Sequence, residues 1–391
     1  MSMENVAVVG AGMTRFGKHQ DLSLKALGGE VIRHALADAG LEAGDIDAAF
    51  VANAMAGVTT GQVSIVGQTI LEANGFHSIP VFNIDNACAS SSSALHLAVQ
   101  YIRAGAADTI LVLGAEKLIC ADRTKAYIAL NGAADIDFVA ANDIDVTKAS
   151  IFVSAVYPPR LDAYRQKHGL DAQTLARIAV KNRGHAAHNP HAQFTAPLTV
   201  DEVLDSRRIV GPITALMCAP IGDGASAVIV TRERLVQKHQ RPVWIRGSAI
   251  MMASAAGAAS SVARAAAKAY AEARITPAAI HVAEVHDSIS FNELLAYEEL
   301  GLCEPGRGAA LFQDGATTLG GRVPVNPSGG LESRGHPVAA TGTAQIYELV
   351  SQLRGEAGPR QVKGAKVAVA ENAGGFTGTD TAAIAITVLE A

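Results

Sequence analysis

With 391 residues the chain exceeds the usual size of one domain, so two core-forming halves are expected. Hydrophobic residues make up 49% and charged ones 18%, which excludes a disordered chain and suits large buried sheets. A net charge of -5 excludes nucleic acid or an anionic membrane as a general partner, so any anionic ligand must meet a local basic site.

Residues 6–9 read as a buried strand. They run into Val8-Val9-Gly10-Ala11-Gly12-Met13-Thr14-Arg15, which begins like a dinucleotide fingerprint. Arg15 stands at the third glycine position and no acidic residue ends the next strand near Ala52, so a tight turn is expected instead. A helix over 24–39 and strands over 49–52 and 81–84 follow, then a helix over 91–104 and a strand over 109–113. Residues 117 to about 215 break this rhythm. Ala140-Ala141-Asn142-Asp143 is loop-like, Pro158-Pro159 stops whatever precedes it, and 161–180 is helical. The stretch reads as an insertion that folds over the first half and supplies part of a binding site. A strand over 227–230 closes that half, at 1–240.

The second half, 241–391, has strands over 242–250, 283–285, 366–370 and 382–388, with helices over 261–273, 291–300 and 341–353. All the strands of the first half are expected to be buried. The repeated order of strands and helices predicts a pseudo-duplicated α/β architecture with helix-covered sheets.

Cys88, Cys120, Cys218 and Cys303 lack paired spacing, so neither a disulfide framework nor a metal site is indicated. Cys218 and Cys303 read as packing residues. The N-terminus lacks a basic segment followed by an apolar stretch, no apolar run reaches spanning length, and Val-Leu-Glu-Ala at the C-terminus is not a Ser-Lys-Leu-type address. A cytoplasmic protein is expected.

Four places can carry chemistry. Cys88 follows a strand and opens a helix, where free N–H groups and the positive dipole end favour a thiolate. His336, beside Pro337 at another helix mouth, can take a thiol proton. His286 and Ser288 lie where a third strand enters a helix, and Gly374 can offer an unhindered N–H to an oxyanion. Nucleophile, base and oxyanion hole together are the set that acyl transfer needs.

On these residues the chain resembles the thiolase superfamily. The motifs are Asn-Ala-Cys-Ala-Ser-Ser-Ser-Ser-Ala-Leu (86–95), His-Asp-x-x-x-x-Asn-Glu-Leu (286–294), Asn-Pro-Ser-Gly-Gly-Leu-x-Ser-x-Gly-His-Pro-x-x-Ala-Thr-Gly (326–342) and Asn-x-Gly-Gly (372–375). Val180-Lys181-Asn182-Arg183 with Asn189-Pro190, and Cys218-Ala219-Pro220-Ile221-Gly222-Asp223-Gly224-Ala225, look like its sterol-carrier-protein, acetyl-CoA-acetyltransferase-like branch. The resemblance implies a thiolase fold, with two similar βαβαβαββ halves in a five-layered α-β-α-β-α arrangement, assembled as a homodimer or homotetramer. It implies that Cys88 accepts the acyl group of an acyl-CoA or 3-ketoacyl-CoA, with His336 as base. His286 would hold the thioester oxygen of the second substrate, and the N–H groups of Cys88 and Gly374 would form the oxyanion hole. Coenzyme A is then a substrate rather than a resident cofactor, and Lys181, Arg183 and Arg334 are the candidates to meet its phosphates, with ordinary surface residues as the alternative.

One departure stands out. Thiolases commonly place a second cysteine at one of two positions, occupied here by Asn372 and Ser288. Cys303 is the thiol to check for reaching the site. Thiolase-like proteins lacking this cysteine include forms that work beside a small zinc-ribbon/OB-fold partner. The alternatives to thiolysis or Claisen condensation are therefore an acyltransferase or retro-aldolase with another second step, or a noncatalytic acyl-CoA- or lipid-binding subunit. Retention of both Cys88 and His336 argues against the last. His185, His188 and His191 tempt a metal reading, but Pro190 interrupts the helix, and a solvated or interface segment is expected.

Overall fold

The protein is described by a computed structural model covering residues 4–238, 240–255 and 260–391. Nine strands form one hydrogen-bonded sheet: β1 (Val6–Met13), β2 (Ala48–Ala52), β3 (Val81–Ile84), β4 (Thr109–Glu116), β5 (Gly224–Arg232), β6 (Val243–Met252), β7 (Val282–Glu284), β8 (Val367–Phe376) and β9 (Thr381–Glu390). Their spatial order is β3-β2-β4-β5-β1-β6-β9-β8-β7. An isolated parallel bridge between Ala283 and Val325 extends the sheet beyond β7. Counted outward from the β1–β6 seam, each half then runs first, fifth, fourth, second, third. Strand directions repeat as well, with two antiparallel pairs followed by parallel ones in both halves. The antiparallel seam, pairing Val6 with Ile245 and Val8 with Val243, relates the halves by a pseudo-two-fold.

Helices make three layers about the two halves. Helix α1 (Leu24–Ala39) covers the outer face of the first half. Helices α2 (Ser90–Arg103) and α8 (Thr341–Arg354) lie between the halves, and α5 (Ser261–Ala273) covers the outer face of the second. Strand periodicity sorts the side chains between these layers. Along β1, Val6 and Val8 join the central layer with Leu95 and Ile346, whereas Ala7 and Val9 pack on Leu27 and Val31 of α1. The five-layered α/β arrangement follows. The helix ends carry their own signals: Ser23 accepts the Ala26 N–H and Gly40 closes α1 in the left-handed region.

Four local expectations change. β1 does not turn at Gly10 but continues to Met13. A Cβ on Gly10 would lie 2.2 Å from the Ala35 carbonyl oxygen, and one on Gly12 2.6 Å from that of Val31, so these glycines let α1 lie directly on the strand. β3 is the sheet edge and is only half-buried. Of the stretch 140–143 expected to be loop-like, Ala140 and Ala141 end a helix over Ile136–Ala141 capped by Asp135, and Asn142 and Asp143 form a turn. The helical stretch in the insertion is two helices, α3 (Tyr157–His168) and α4 (Ala172–Ala186), separated at Gly169 by a positive φ of 73°. Two further helices, α6 (Ser290–Glu299) and the short α7 (Gly330–Arg334), follow β7 and precede α8. No helix among the described residues is long and apolar enough to cross a membrane.

Candidate active site

Cys88 sits in the turn between β3 and α2, two residues before the helix begins. Ala87 adopts a left-handed φ of 50°, a conformation that costs a non-glycine residue about 1–3 kcal/mol and that presents the next side chain sharply. Hydrogen bonds hold this turn. The Asn86 N–H donates to Ser90 Oγ at 2.9 Å, the Asn86 amide donates to Ser93 Oγ at 2.9 Å, and Ser90 Oγ donates to the Ala87 carbonyl at 2.6 Å. The serine run after the cysteine thus splints the turn. Ser91 Oγ, accepting the Thr343 N–H at 3.0 Å, joins it to α8 across the central layer.

The three distant junctions converge here. The Cys88 sulfur and one ring nitrogen each of His286 and His336 lie within 4.8 Å of one another. The two imidazoles meet edge to face with centroids 5.2 Å apart. Thr341 Oγ1 lies 2.7 Å from His336 Nδ1 and 3.2 Å from the Pro337 carbonyl, so it holds the ring through Nδ1. With the hydroxyl proton on the Pro337 carbonyl, Nδ1 carries the ring proton and Nε2 keeps its lone pair. Burial, His286 and Arg334 hold the pKa of His336 well below the usual range, and burial with Arg334 pushes His286 down to about 3. Burial and the Glu116 charge push the Cys88 thiol up to about 12. The resting pair is thus thiol and neutral imidazole, not an ion pair. Cys88 as a thiolate and the two neutral imidazoles could also ligate zinc, which would draw electron density from the sulfur and weaken it as a nucleophile.

The Gly374 turn lies against Cys88. A Cβ on Gly374 would meet the Asn86 carbonyl oxygen at 2.3 Å and the Ala89 nitrogen at 2.5 Å. Gly374 and its neighbour Gly375, which has a φ of 68°, both line the cavity with Cys88. Glu116, at the end of β4, ties the site together. Its carboxylate accepts the N–H groups of Ala54, Met55 and Ala339, each at 3.2 Å, and so fastens the turn that carries His336.

These groups open on a cavity of about 610 Å³, within the range that holds an acyl chain and part of its carrier. Apolar walls come from both halves and from the insertion, including Met55, Leu130, Val153 and Phe376.

The family model for the thiolase N-terminal domain matches residues 6–210, and that for the thiolase C-terminal domain matches residues 246–387. The chain belongs to the thiolase family. It is 36% identical over 385 residues to the acetyl-CoA acetyltransferase of Methanothermobacter thermautotrophicus, covering 96% of this chain and 98% of that one. It is 37% identical over 397 residues to sterol carrier protein 2 of Bos taurus, covering 94% of this chain and 70% of that one. Among solved structures, the Ltp2-ChsH2(DUF35) aldolase superposes with a TM-score of 0.79 at 24% identity, over 99% of this chain and 98% of that one, a likeness of fold.

Two of the three cations expected at thiolase-bound CoA are committed elsewhere. Lys181 is buried and paired with Glu293 while also donating to the Val325 carbonyl at 2.9 Å. Arg334 is fully buried, 3.0 Å from Glu284. Neither reaches a phosphate, because each neutralises a carboxylate buried under the catalytic turn. Arg183 does line the cavity, bonded to Ser333 Oγ at 2.9 Å and stacked over Phe194. The 181–190 segment is a polar clamp. Asn182 reaches Asp287 and Glu293, His185 Nδ1 meets the Asn326 carbonyl at 3.0 Å, and Asn189 donates to the Ser328 carbonyl at 2.9 Å. Of the three histidines expected in a solvated or interface segment, His185 is buried and bonded whereas His188 is exposed.

At the two second-cysteine positions, Ser288 faces the cavity, whereas Asn372 is buried and does not line it. Cys303 does not line it either. Cys218, expected to be a packing residue, does, with Sγ directed to the Thr214 carbonyl at 3.5 Å. Burial pushes its thiol up to about 12. Sequence reading missed Tyr157 and Glu116. Glu116 ends a strand, a recognisable active-site position in α/β proteins. Tyr157 had only Pro158-Pro159 to mark it.

Proposed function

We propose that the protein is an acyltransferase in which Cys88 takes the acyl group of an acyl-CoA or 3-ketoacyl-CoA and passes it to CoA or acetyl-CoA. The convergence of Cys88, His286 and His336 on one cavity carries this reading. As the sulfur attacks the thioester or ketone carbon, His336 Nε2 takes the thiol proton, and the oxyanion meets the N–H groups of Cys88 and Gly374. His286, kept neutral, offers one N–H to the thioester oxygen of the second substrate. CoA enters as a substrate, with Arg183 in the cavity wall and the exposed Arg207 on its lining as cations for the phosphates.

Incubation with a panel of acyl-CoA thioesters followed by intact-mass measurement is expected to show one acyl adduct, absent in Cys88→Ala. An unlabelled wild-type protein across all chain lengths would sink the covalent mechanism.

Ser288 and Asn372 favour a second reading, cleavage of a 3-hydroxyacyl-CoA by retro-aldol chemistry. The solved structure of the same fold that is named an aldolase fits that reading, and its name joins it to a second polypeptide. Adding 3-hydroxyacyl-CoA to the panel separates the two, since retro-aldol cleavage releases a carbonyl compound and leaves Cys88 unlabelled.

We also infer a homodimer built on the open edge of β3, where Phe82, Leu97 and Val63 are exposed. Light scattering is expected to give twice the chain mass, falling to a single chain in Phe82→Asp.

A further inference from the structure

We propose that the Tyr157 hydroxyl, seated on Ser288 Oγ, moves the proton in the carbon–carbon bond step, in place of the second cysteine. The proposal rests on the acyl-enzyme reading above. Tyr157 Oη and Ser288 Oγ are 2.7 Å apart, and the Asn292 amide donates to Ser288 Oγ at 2.8 Å. All three residues line the cavity that holds Cys88, His286 and His336, and Ser288 lies only two residues beyond His286. Two hydroxyls sharing one hydrogen bond leave one O–H uncommitted, whichever of them donates. That proton is available to a bound substrate.

The backbone singles out the same residue. Tyr157 begins α3 immediately after a π-helical turn, Phe152–Val156, and Phe152, Val153, Ser154 and Val156 line the cavity with it. Such turns are rare and gather at functional sites, because the extra residue re-aims the side chains that follow. Burial, with the nearby Cys88 charge, raises the phenol pKa, so Tyr157 is protonated at neutral pH and starts as a donor.

In the cleavage direction the step balances. The Cys88 sulfur, its proton held on His336, bonds to C3 of a 3-ketoacyl thioester. The C2–C3 bond breaks, its electron pair passes to C2 and the thioester carbonyl, and C2 takes the Tyr157 proton, leaving a phenolate. The thiol of incoming CoA gives its proton to that phenolate, and its sulfur bonds to the acyl carbon. Cys88 leaves and recovers the proton from His336. A phenol is a far stronger acid than the α-carbon of a thioester, so the first transfer runs downhill.

Single-turnover labelling of Cys88, read by intact mass, tests this with two substrates of equal length. A saturated acyl-CoA expels a thiolate, which needs little acid help, whereas a 3-ketoacyl-CoA expels a carbanion, which needs it. Tyr157→Phe is expected to be labelled by the saturated acyl-CoA at the wild-type rate and by the 3-ketoacyl-CoA about 10²–10⁴-fold more slowly. Adding Ser288→Cys to Tyr157→Phe should restore part of the cleavage. Wild-type cleavage in Tyr157→Phe, or equal loss with both substrates, overturns the proposal. A wild-type protein labelled by neither substrate removes the acyl-enzyme reading itself, and the proposal falls with it.

Discussion

Replacing His336 by alanine is expected to slow acylation of Cys88 by about 10²–10⁴-fold, the usual worth of a positioned general base, without unfolding the protein. The reason is the resting protonation state. With the thiol pushed up to about 12, the thiolate fraction at neutral pH is very small, and it falls tenfold for each unit of pH below that value. Without His336, alkylation by a neutral reagent should therefore climb about tenfold per pH unit from 7 to 10, with no plateau. In the wild-type protein the base is already neutral across this range, since burial, His286 and Arg334 hold its pKa well below the ordinary histidine value. Acylation by an acyl-CoA should accordingly show no acid limb between pH 6 and 8. A limb centred near the ordinary histidine value of about 6.5 would contradict a neutral thiol–imidazole pair.

Replacing Arg334 by methionine should destabilise the protein by about 3–5 kcal/mol near pH 8, because it leaves the Glu284 carboxylate buried without its partner. Arg334 and Glu284 are both fully buried, and Glu284 also accepts from the Ser328 N–H and Oγ at 3.0 and 2.7 Å. The sign of the pH dependence follows from the carboxyl. Burial raises Glu284 to about 7 even with Arg334 opposing it, so removing the guanidinium raises it further. A carboxyl whose folded pKa is raised contributes most below its unfolded value of about 4.5, and the contribution is lost as pH rises through the folded value. The deficit in Arg334→Met should therefore shrink on acidification from pH 8 to pH 5. Denaturant midpoints at the two pH values measure it, and an equal deficit at both would mean that lost packing, not the stranded charge, is responsible.

The three residues that converge on the cavity were legible in the chain before any fold was known, for a local reason. Cys88, His286 and His336 each stand where a strand or Gly-rich turn enters a helix, and the backbone there exposes N–H groups whatever the distant partners are. Helix limits were equally local. The bounds at 24–39 and 261–273 match because Ser23, Gly40 and Ser260 cap those helices within their own turns. Edge and interior strands were harder to separate: residues 81–84 are as apolar as their neighbours, and only the crossover order leaves β3 unpaired on one side.

Charges were the least legible feature. Lys181 and Arg334 look in sequence like any basic residue able to meet a phosphate, because a side chain's own chemistry does not state its burial. Their partners, Glu293 and Glu284, are 112 and 50 residues away. Tyr157 is a similar case, since its contact with Ser288 spans 131 residues and joins the insertion to the second half.

By itself the sequence determined the alternation of strands and helices, the choice of Cys88 with His286 and His336 as candidate site residues, and the absence of a thiol at positions 288 and 372. These are set by residue type and short-range backbone preference. Only the tertiary structure decided that the halves meet through an antiparallel β1–β6 seam and that two expected phosphate ligands are buried counter-ions. It alone brought Cys88, His286 and His336 together and the Tyr157 hydroxyl to Ser288. Those outcomes depend on which distant groups lose their water to one another, and packing decides that.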